Sequence, residues 1–307
     1  MNDLDALNET LADLDDRLTQ DFTAPSGPVT FIFSQPRAGS TLFQQLALSS
    51  MDVGYVSNVL ARLWRAPYLG AQLHMSLRDP AYVSHFRSKW GIADGAQEPH
   101  EWGWFWRHRL GLAAGESYCA DPAAVDVAGL ARKLAGLESV LAAPLLFDNV
   151  YAMNNFAVVA GALPKPLALY LRHDPYYVCS SLINARIERH GDVAVFYGNE
   201  PRDWARIKRI TDPVEQIVAQ VQATESDIED RLASLPAARV LRLDYDDLIA
   251  APWDTLDRFT AFLGANGAEV ARRSTKSELT LRSRNAPSLV DPAHKAALDR
   301  HFRAYFG

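Results

Sequence analysis

Apolar residues recur along this chain in two alternating rhythms. Short β-branched and aromatic runs at 29–33 (V-T-F-I-F), 144–147, 167–171 and 240–243 read as buried strands. The longer stretches between them carry the three-to-four spacing of helices. The opening segment places Leu4, Leu7, Leu11, Leu14 and Leu18 on one stripe of a helix whose other face is acidic. Two readings of that stripe stand: packing against the edge of the domain, or contact with a second copy in a homodimer. T-A-P-S-G-P at 23–28 is a turn-rich link. Asp212-Pro213-Val214-Glu215 has a capping Asp, a Pro in the first helical position and a Glu three residues on, so it predicts a helix start. Val214, Ile217, Val218 and Val221 follow as its inner face, and Asp291-Pro292 opens a last helix in the same way. The alternation predicts an α/β fold, a mostly parallel central sheet with helices on both faces. Residues 1–28 form an N-terminal amphipathic helix and linker, and 29–307 a single domain without internal repeats.

Composition narrows the class only slightly. The chain has 307 residues, 48% of them apolar and 22% charged, which is ordinary for a folded domain. Its longest uncharged apolar stretch, around 156–164, is far short of a membrane span. The acidic start lacks the basic and apolar regions of a secretory signal. Two cysteines, Cys119 and Cys179, make no disulfide framework, so a cytoplasmic protein is expected. A net charge of −6 argues against general nucleic-acid binding but leaves room for one local anion site.

Phe31 to Leu42 reads F-I-F-S-Q-P-R-A-G-S-T-L. A buried strand delivers the chain to a loop, Gly39 permits a sharp turn, and Ser40 and Thr41 open a helix. The free N–H groups and positive dipole end of such a helix bind anions. Arg37 adds a permanent cation with forked donors. The nucleotide-kinase pattern G-x-x-x-x-G-K-[ST] is absent, since no Lys precedes the hydroxyl pair and the first Gly is replaced. An ordinary turn with Ser40 as helix cap is the plain alternative.

A second strand-to-helix passage, L-A-L-Y-L-R-H-D-P-Y-Y-V-C-S-S-L at 167–182, places Arg172 at the strand end and Ser180 two turns into the next helix. Ligands of open parallel sheets bind beyond the carboxyl ends of strands, so both passages face the same edge. Pro36-Arg37-Ala38-Gly39-Ser40-Thr41, Arg172 and Ser180 flanking Asp174-Pro175, and Leu243-Asp244-Tyr245-Asp246-Asp247-Leu248 with Pro252 and Phe262-Leu263-Gly264 occur in the order of three sulfotransferase motifs. The chain resembles the PAPS-dependent sulfotransferase family, whose donor is 3′-phosphoadenosine 5′-phosphosulfate. It is most similar to bacterial members with a long insert, here about 52–143.

The resemblance implies a P-loop-like sulfotransferase fold and transfer of a sulfuryl group from PAPS to a hydroxyl or amine of a small, partly apolar or aromatic acceptor, with release of PAP and without a metal. It implies that Arg37, Ala38, Gly39, Ser40 and Thr41 hold the 5′-phosphosulfate, with Arg37 at the bridging oxygen. Arg172 and Ser180 hold the 3′-phosphate and Tyr245 lies near the adenine. Arg282 and Arg284 of a basic C-terminal segment are further phosphate contacts or a solvated face. Many relatives carry Lys near the position of Asp148; here Asp148 serves as base, leaves Arg37 alone to balance the leaving group, or caps the next helix with Asn149 exposed.

A general base should be a His or carboxylate near the acceptor. His100 and Glu101 rank first because they precede Trp102-Gly-Trp104-Phe-Trp106, which forms either core or the wall of an acceptor pocket. His74, His85 and His108 follow, and no His pair has metal-ligand spacing. Two competing functions stand beside sulfotransfer: an ATP-dependent small-molecule kinase with an atypical loop, and a catalytically silent PAP- or PAPS-binding protein.

Overall fold

The computed structural model describes residues 3–273, 281, 283 and 291–307. A four-stranded, fully parallel sheet runs in the order β2-β1-β3-β4, from β1 (Val29–Ser34), β2 (Leu145–Asp148), β3 (Pro166–Arg172) and β4 (Val240–Asp244). Each predicted strand is present. Alternate residues of β1 point to opposite faces. Phe31 and Phe33 enter one core with Phe147, Tyr170, Trp102, Phe105 and Trp106, while Ile32 enters a second with Leu146, Leu169, Phe43 and Phe259. Both faces of β1 are therefore covered, which explains why V-T-F-I-F reads as a continuous apolar run.

Helices α1 (Asp3–Leu18), α2 (Ser40–Ser50), α3 (Pro67–Leu77), α4 (Gly103–Arg109) and α5 (Val127–Leu141) precede β2. The short α6 (Val150–Asn154) and α7 (Phe156–Gly161) connect it to β3. After β3 come α8 (Pro175–His190), α9 (Trp204–Ile207) and α10 (Pro213–Ala233), and after β4 come α11 (Tyr245–Ala250), α12 (Pro252–Ala265) and α13 (Pro292–Phe306). The first core is closed by α4–α7, the second by α2, α11 and α12. A third apolar cluster joins α8, α10 and α13 through Val178, Leu182, Val214, Ile217, Val218 and Leu298. Asp212 caps α10 by accepting from the N–H groups of Val214 and Glu215, and Asp291 caps α13 from Ala293 and His294, as their Asp-Pro starts predict.

The first helix departs from the reading of its leucine stripe as packing on the domain edge. Leu7, Leu14 and Leu18 are exposed, and α1 instead buries Asn8 and Asp15, with Thr19 just beyond its end. Asn8 donates to the carbonyl of Arg62 and accepts from the N–H of Arg65, and Asp15 accepts from Leu69 N–H. Lys133 of α5, itself buried, reaches Asp15 and Asp16 at 2.6 Å each. Polar docking wins because the chain ends around α3 leave backbone donors and acceptors that must be satisfied. Burial still raises the Asp15 carboxyl above its ordinary range, against the hydrogen bond from Lys133. Lys133→Met is expected to lower the unfolding free energy by about 3–5 kcal/mol, since it strands a buried carboxylate. Urea denaturation checks this, and a loss under about 1 kcal/mol would mean the pair is idle.

No helix among the described residues is long and apolar enough to cross a membrane.

Candidate active site

The carboxyl ends of the strands come together by register. Ser34 of β1 lies opposite Leu171 of β3, Ile32 opposite Asp148, and Arg172 opposite Asp244. The loops after β1 and β3 thus emerge side by side over the middle of the sheet, where open α/β sheets bind ligands. A cleft of about 1190 Å³ opens there. It is lined by Arg37, Gly39, Ser40, Thr41, Glu101, Asp148, Ser180 and Tyr245 among the residues singled out from sequence.

The loop after β1 is held from beneath. Gln35 is buried and donates to the carbonyl of Val221 on α10, and the N–H of Ala38 turns back onto the Gln35 carbonyl. Arg37 (φ 73°) and Gly39 (φ 89°) both occupy the left-handed region. Gly39 has a second constraint: a Cβ there would lie 2.7 Å from the Tyr245 ring. Gly39 brings no side chain to cap α2, so among the described residues no side-chain cap takes up its first N–H groups. Ala38 has no exposed surface, so it can serve the loop only through its backbone.

Helix α8 forms the facing wall. Asp174 caps it through Tyr176 N–H. Ser180 and Ser181 line the cleft, and Arg37 Nε donates to Ser181 Oγ at 3.2 Å. That bond ties the first loop to the second. Tyr245, at the start of α11, stacks on His173 with centroids 4.2 Å apart. Ser181 escaped sequence reasoning although it sits beside Ser180.

The comparisons with known proteins agree with this geometry. The chain matches the model of the sulfotransferase family over residues 28–269. It belongs to the sulfotransferase family. No protein of curated function matches its sequence. Among solved structures, sulfotransferase STF1 from Mycobacterium tuberculosis H37Rv aligns with 96% of this chain and 81% of its own, at 15% identity and a TM-score of 0.51. Sulfotransferase STF9 from Mycobacterium avium aligns with 97% of this chain and 73% of its own, at 12% identity and a TM-score of 0.51. At such identities these likenesses speak for the fold, which is the sulfotransferase fold.

Three carboxyl side chains line the sulfotransferase's cleft, Glu101, Asp148 and Glu188, and the first two influence each other. Asp148 ends β2, and Asn149, not Asp148, caps α6 by accepting from Ala152 N–H. Asn149 is buried rather than exposed, and its amide donates to the carbonyl of Glu101 at 2.8 Å. One Asp148 oxygen has no hydrogen-bond partner among the described residues. Burial raises the Asp148 pKa to about 6, and a hydrogen bond from Ser40 works against that rise. Glu101 is exposed at the cleft, with the Gly91 turn enclosing one side of its carboxyl. That enclosure, then the neighbouring charge of Asp148, pushes its pKa up to about 8. The charge on one of these carboxyl groups disfavours charge on the other, so their titrations are linked.

Other expected residues lie elsewhere. His100 is not part of the cleft wall; its Nδ1 accepts from Trp102 N–H, and burial holds its pKa below the usual range. Trp102 and Trp106 are core residues, and Trp104 is 66% exposed on the outside, so none forms an acceptor wall. His74 is buried against Ser57, His108 packs on Trp64, and His85 Nε2 meets the Asp94 carbonyl. Arg172 stands outside the lining residues, and its guanidinium pairs with Asp244 at 2.9 Å. Arg282 and Arg284 lie outside the described residues.

The aromatic wall comes instead from the segment before Glu98 and from the loop after α8: Phe86, Trp90, Phe196 and Tyr197. Glu98 is fully buried and accepts from Gln45 Nε2 at 2.6 Å, Tyr82 hydroxyl at 2.6 Å and Ser84 hydroxyl at 3.0 Å. This carboxylate, with the Ser84 N–H bond to Ser49 Oγ, hangs the segment on α2. Nothing in the spacing of 78–98 announces such a hub, because all its partners except Gln45 are near in sequence but irregular in structure.

Proposed function

We propose that this sulfotransferase uses PAPS as donor and transfers its sulfuryl group to a hydroxyl or amine of a small acceptor. The observation that supports this best is the junction of two strand tips: the Gly39 loop and the Ser180–Ser181 turn of α8 line one cleft and are tied by the Arg37–Ser181 hydrogen bond. The cleft's donor set suits a nucleotide with two separated anionic ends. The uncapped N–H groups of α2, with Ser40, Thr41 and Arg37, would hold the 5′-phosphosulfate. Ser180 and Ser181 would face the 3′-phosphate, and Tyr245 with His173 would offer a surface for the base.

Sulfuryl transfer proceeds like phosphoryl transfer, by in-line attack on a loosely held group. The acceptor oxygen forms the new S–O bond and gives its proton to Glu101. The bond from sulfur to the bridging oxygen breaks, and its electron pair stays on the 5′-phosphate of PAP. Arg37 and the helix N–H groups stabilise that growing charge. Asp148, where many relatives carry Lys, acts through Glu101 by keeping its carboxyl basic. The loop's lack of the kinase Lys disfavours ATP, while Asp148 gives a specific reason to test for binding without turnover.

Thermal unfolding with PAP in the absence of Mg²⁺ tests the donor. Saturation at about 100 times Kd adds about 2.7 kcal/mol of stability. Stabilisation by Mg·ATP alone would overturn the donor assignment, and PAP binding without transfer from PAPS to any acceptor would favour the silent binder.

Arg172 enters with a condition. To reach a 3′-phosphate its guanidinium must leave Asp244. Arg172→Ala is expected to weaken PAP binding roughly tenfold to a hundredfold, the worth of a charge-assisted contact. Calorimetry checks this; unchanged affinity would leave Arg172 in its surface pair and assign the phosphate to α8.

A further inference from the structure

The mouth of the cleft carries two cations that no carboxylate among the described residues balances. Residues 89–92 form a tight hairpin turn, Lys89 and Ile92 exchanging N–H···O bonds of 2.8 and 3.0 Å. Both central residues, Trp90 (φ 53°) and Gly91 (φ 82°), lie in the left-handed region. Asn-Gly is the usual pair for such a turn, and a bulky aromatic residue in the first position is an outlier held by its surroundings. Gly91 is needed for space too: a Cβ there would lie 2.7 Å from Glu101 Oε1 and 3.9 Å from Thr41 Oγ1. The turn is thus seated against the carboxyl group and the loop where transfer would occur.

What the turn presents is an indole between cations. Lys89 Nζ lies 4.2 Å from the Trp90 ring centre, and the Arg189 guanidinium of α8 lies 5.5 Å from it and 5.2 Å from the Tyr197 ring. All four side chains line the cleft. Glu188, also in the lining, forms an ion pair with neither cation, and neither cation has any other acidic partner among the described residues. Stacking on aromatic rings holds the two charges in place without neutralising them. Arg37 and the first turn of α2, which belong to the loop after β1, are already assigned to the donor.

We propose that the acceptor carries an anionic group beside an apolar or aromatic body, the anion gripped by Lys89 and Arg189 and the body laid on Trp90 and Tyr197. This rests on the sulfotransfer reading for which side of the cleft the acceptor takes. The anion would sit a short molecular length from the hydroxyl that faces Glu101, so the class is hydroxy acids or hydroxylated phosphate esters rather than neutral alcohols.

The test uses the full chain and matched probes, 4-hydroxyphenylacetate and its neutral amide, titrated by calorimetry with and without saturating PAP. The acid is expected to bind at least about fivefold tighter than the amide at low salt, with the preference falling within about twofold at about 0.5 M NaCl. Arg189→Gln and Lys89→Gln should each remove most of the preference while leaving PAP affinity and amide binding unchanged. Equal binding of acid and amide, or no binding of either, overturns the proposal. A fall in PAP affinity in the variants overturns it as well, because the cations would then serve the donor. If wild-type protein fails to bind PAP yet still prefers the acid, the donor reading falls and the anion site stands.

Discussion

Glu101→Gln is expected to lower kcat by about 10²–10⁴-fold while PAP affinity stays within about twofold. The carboxyl sits at the cleft, its backbone pinned by the Asn149 amide and its oxygen against Gly91, so the amide replaces it in shape but cannot take a proton. The pH profile distinguishes this from a structural effect. The wild-type rate should rise with pH, with an apparent pKa between about 6 and 8 that belongs to the Asp148–Glu101 pair. The variant's residual rate should lose that rising limb. Stability moves in the opposite sense. The Glu101 pKa is raised from 4.5 to about 8 in the fold, so the native state binds the proton more tightly and stability falls as pH climbs through that interval. Glutamine removes this cost, so the variant should melt higher than wild type at pH 8.5 and alike at pH 4. A rate loss that is flat with pH, and no change in melting at pH 8.5, would place the base elsewhere in the cleft.

Arg37→Ala is expected to reduce kcat by about 10²–10³-fold, the usual consequence of removing one preorganised donor from developing charge. The guanidinium is pre-positioned: its residue is in the left-handed region and its Nε is tied to Ser181. Arg37→Lys keeps the charge but loses the forked donor geometry, so it should recover only part of the rate. Ser181→Ala leaves the cation present but untethered and should cost about tenfold or less. Single-turnover kinetics with bound PAPS check the series; if alanine raises KM alone, Arg37 binds the ground state rather than the transition state.

The strands, the Gly39 turn and the α8 start were legible because each depends on near neighbours in sequence. A β-branched run, a glycine forced by φ and an Asp-Pro cap are local facts, and register then brings Ser34 and Leu171 side by side. Glu101 lines the cleft, but its place before the tryptophans is a misleading reason for singling it out. The tryptophans after it are core, and the wall near it is Trp90, which no periodicity points to because it stands in an irregular turn. His100 and Glu101 are adjacent in the chain, yet the left-handed Trp102 and the Asn149 bond send only the second into the cleft. As a sign of packing within the chain the leucine stripe of α1 misled, because amphipathic spacing reports a helix, not which face docks; the reading as a contact with a second copy is a separate matter. Asn8 and Asp15 dock by satisfying particular backbone groups, a long-range match that single-sequence patterns do not contain.

Glu98 joins the helix that starts at Ser40 to the stretch that ends in Trp90, through Gln45, one turn beyond Thr41. The proposed acceptor side therefore hangs on a small set of polar ties, with Gln45 and Ser49 of α2 reaching Glu98, Arg87 and Ser84, and Asn58 reaching Ala93 and Gly95. Where those ties and the Gly91 contact are kept, the rest of residues 79–97 can diversify in sequence, and a transplant of that stretch between relatives should carry taste for the acceptor with it.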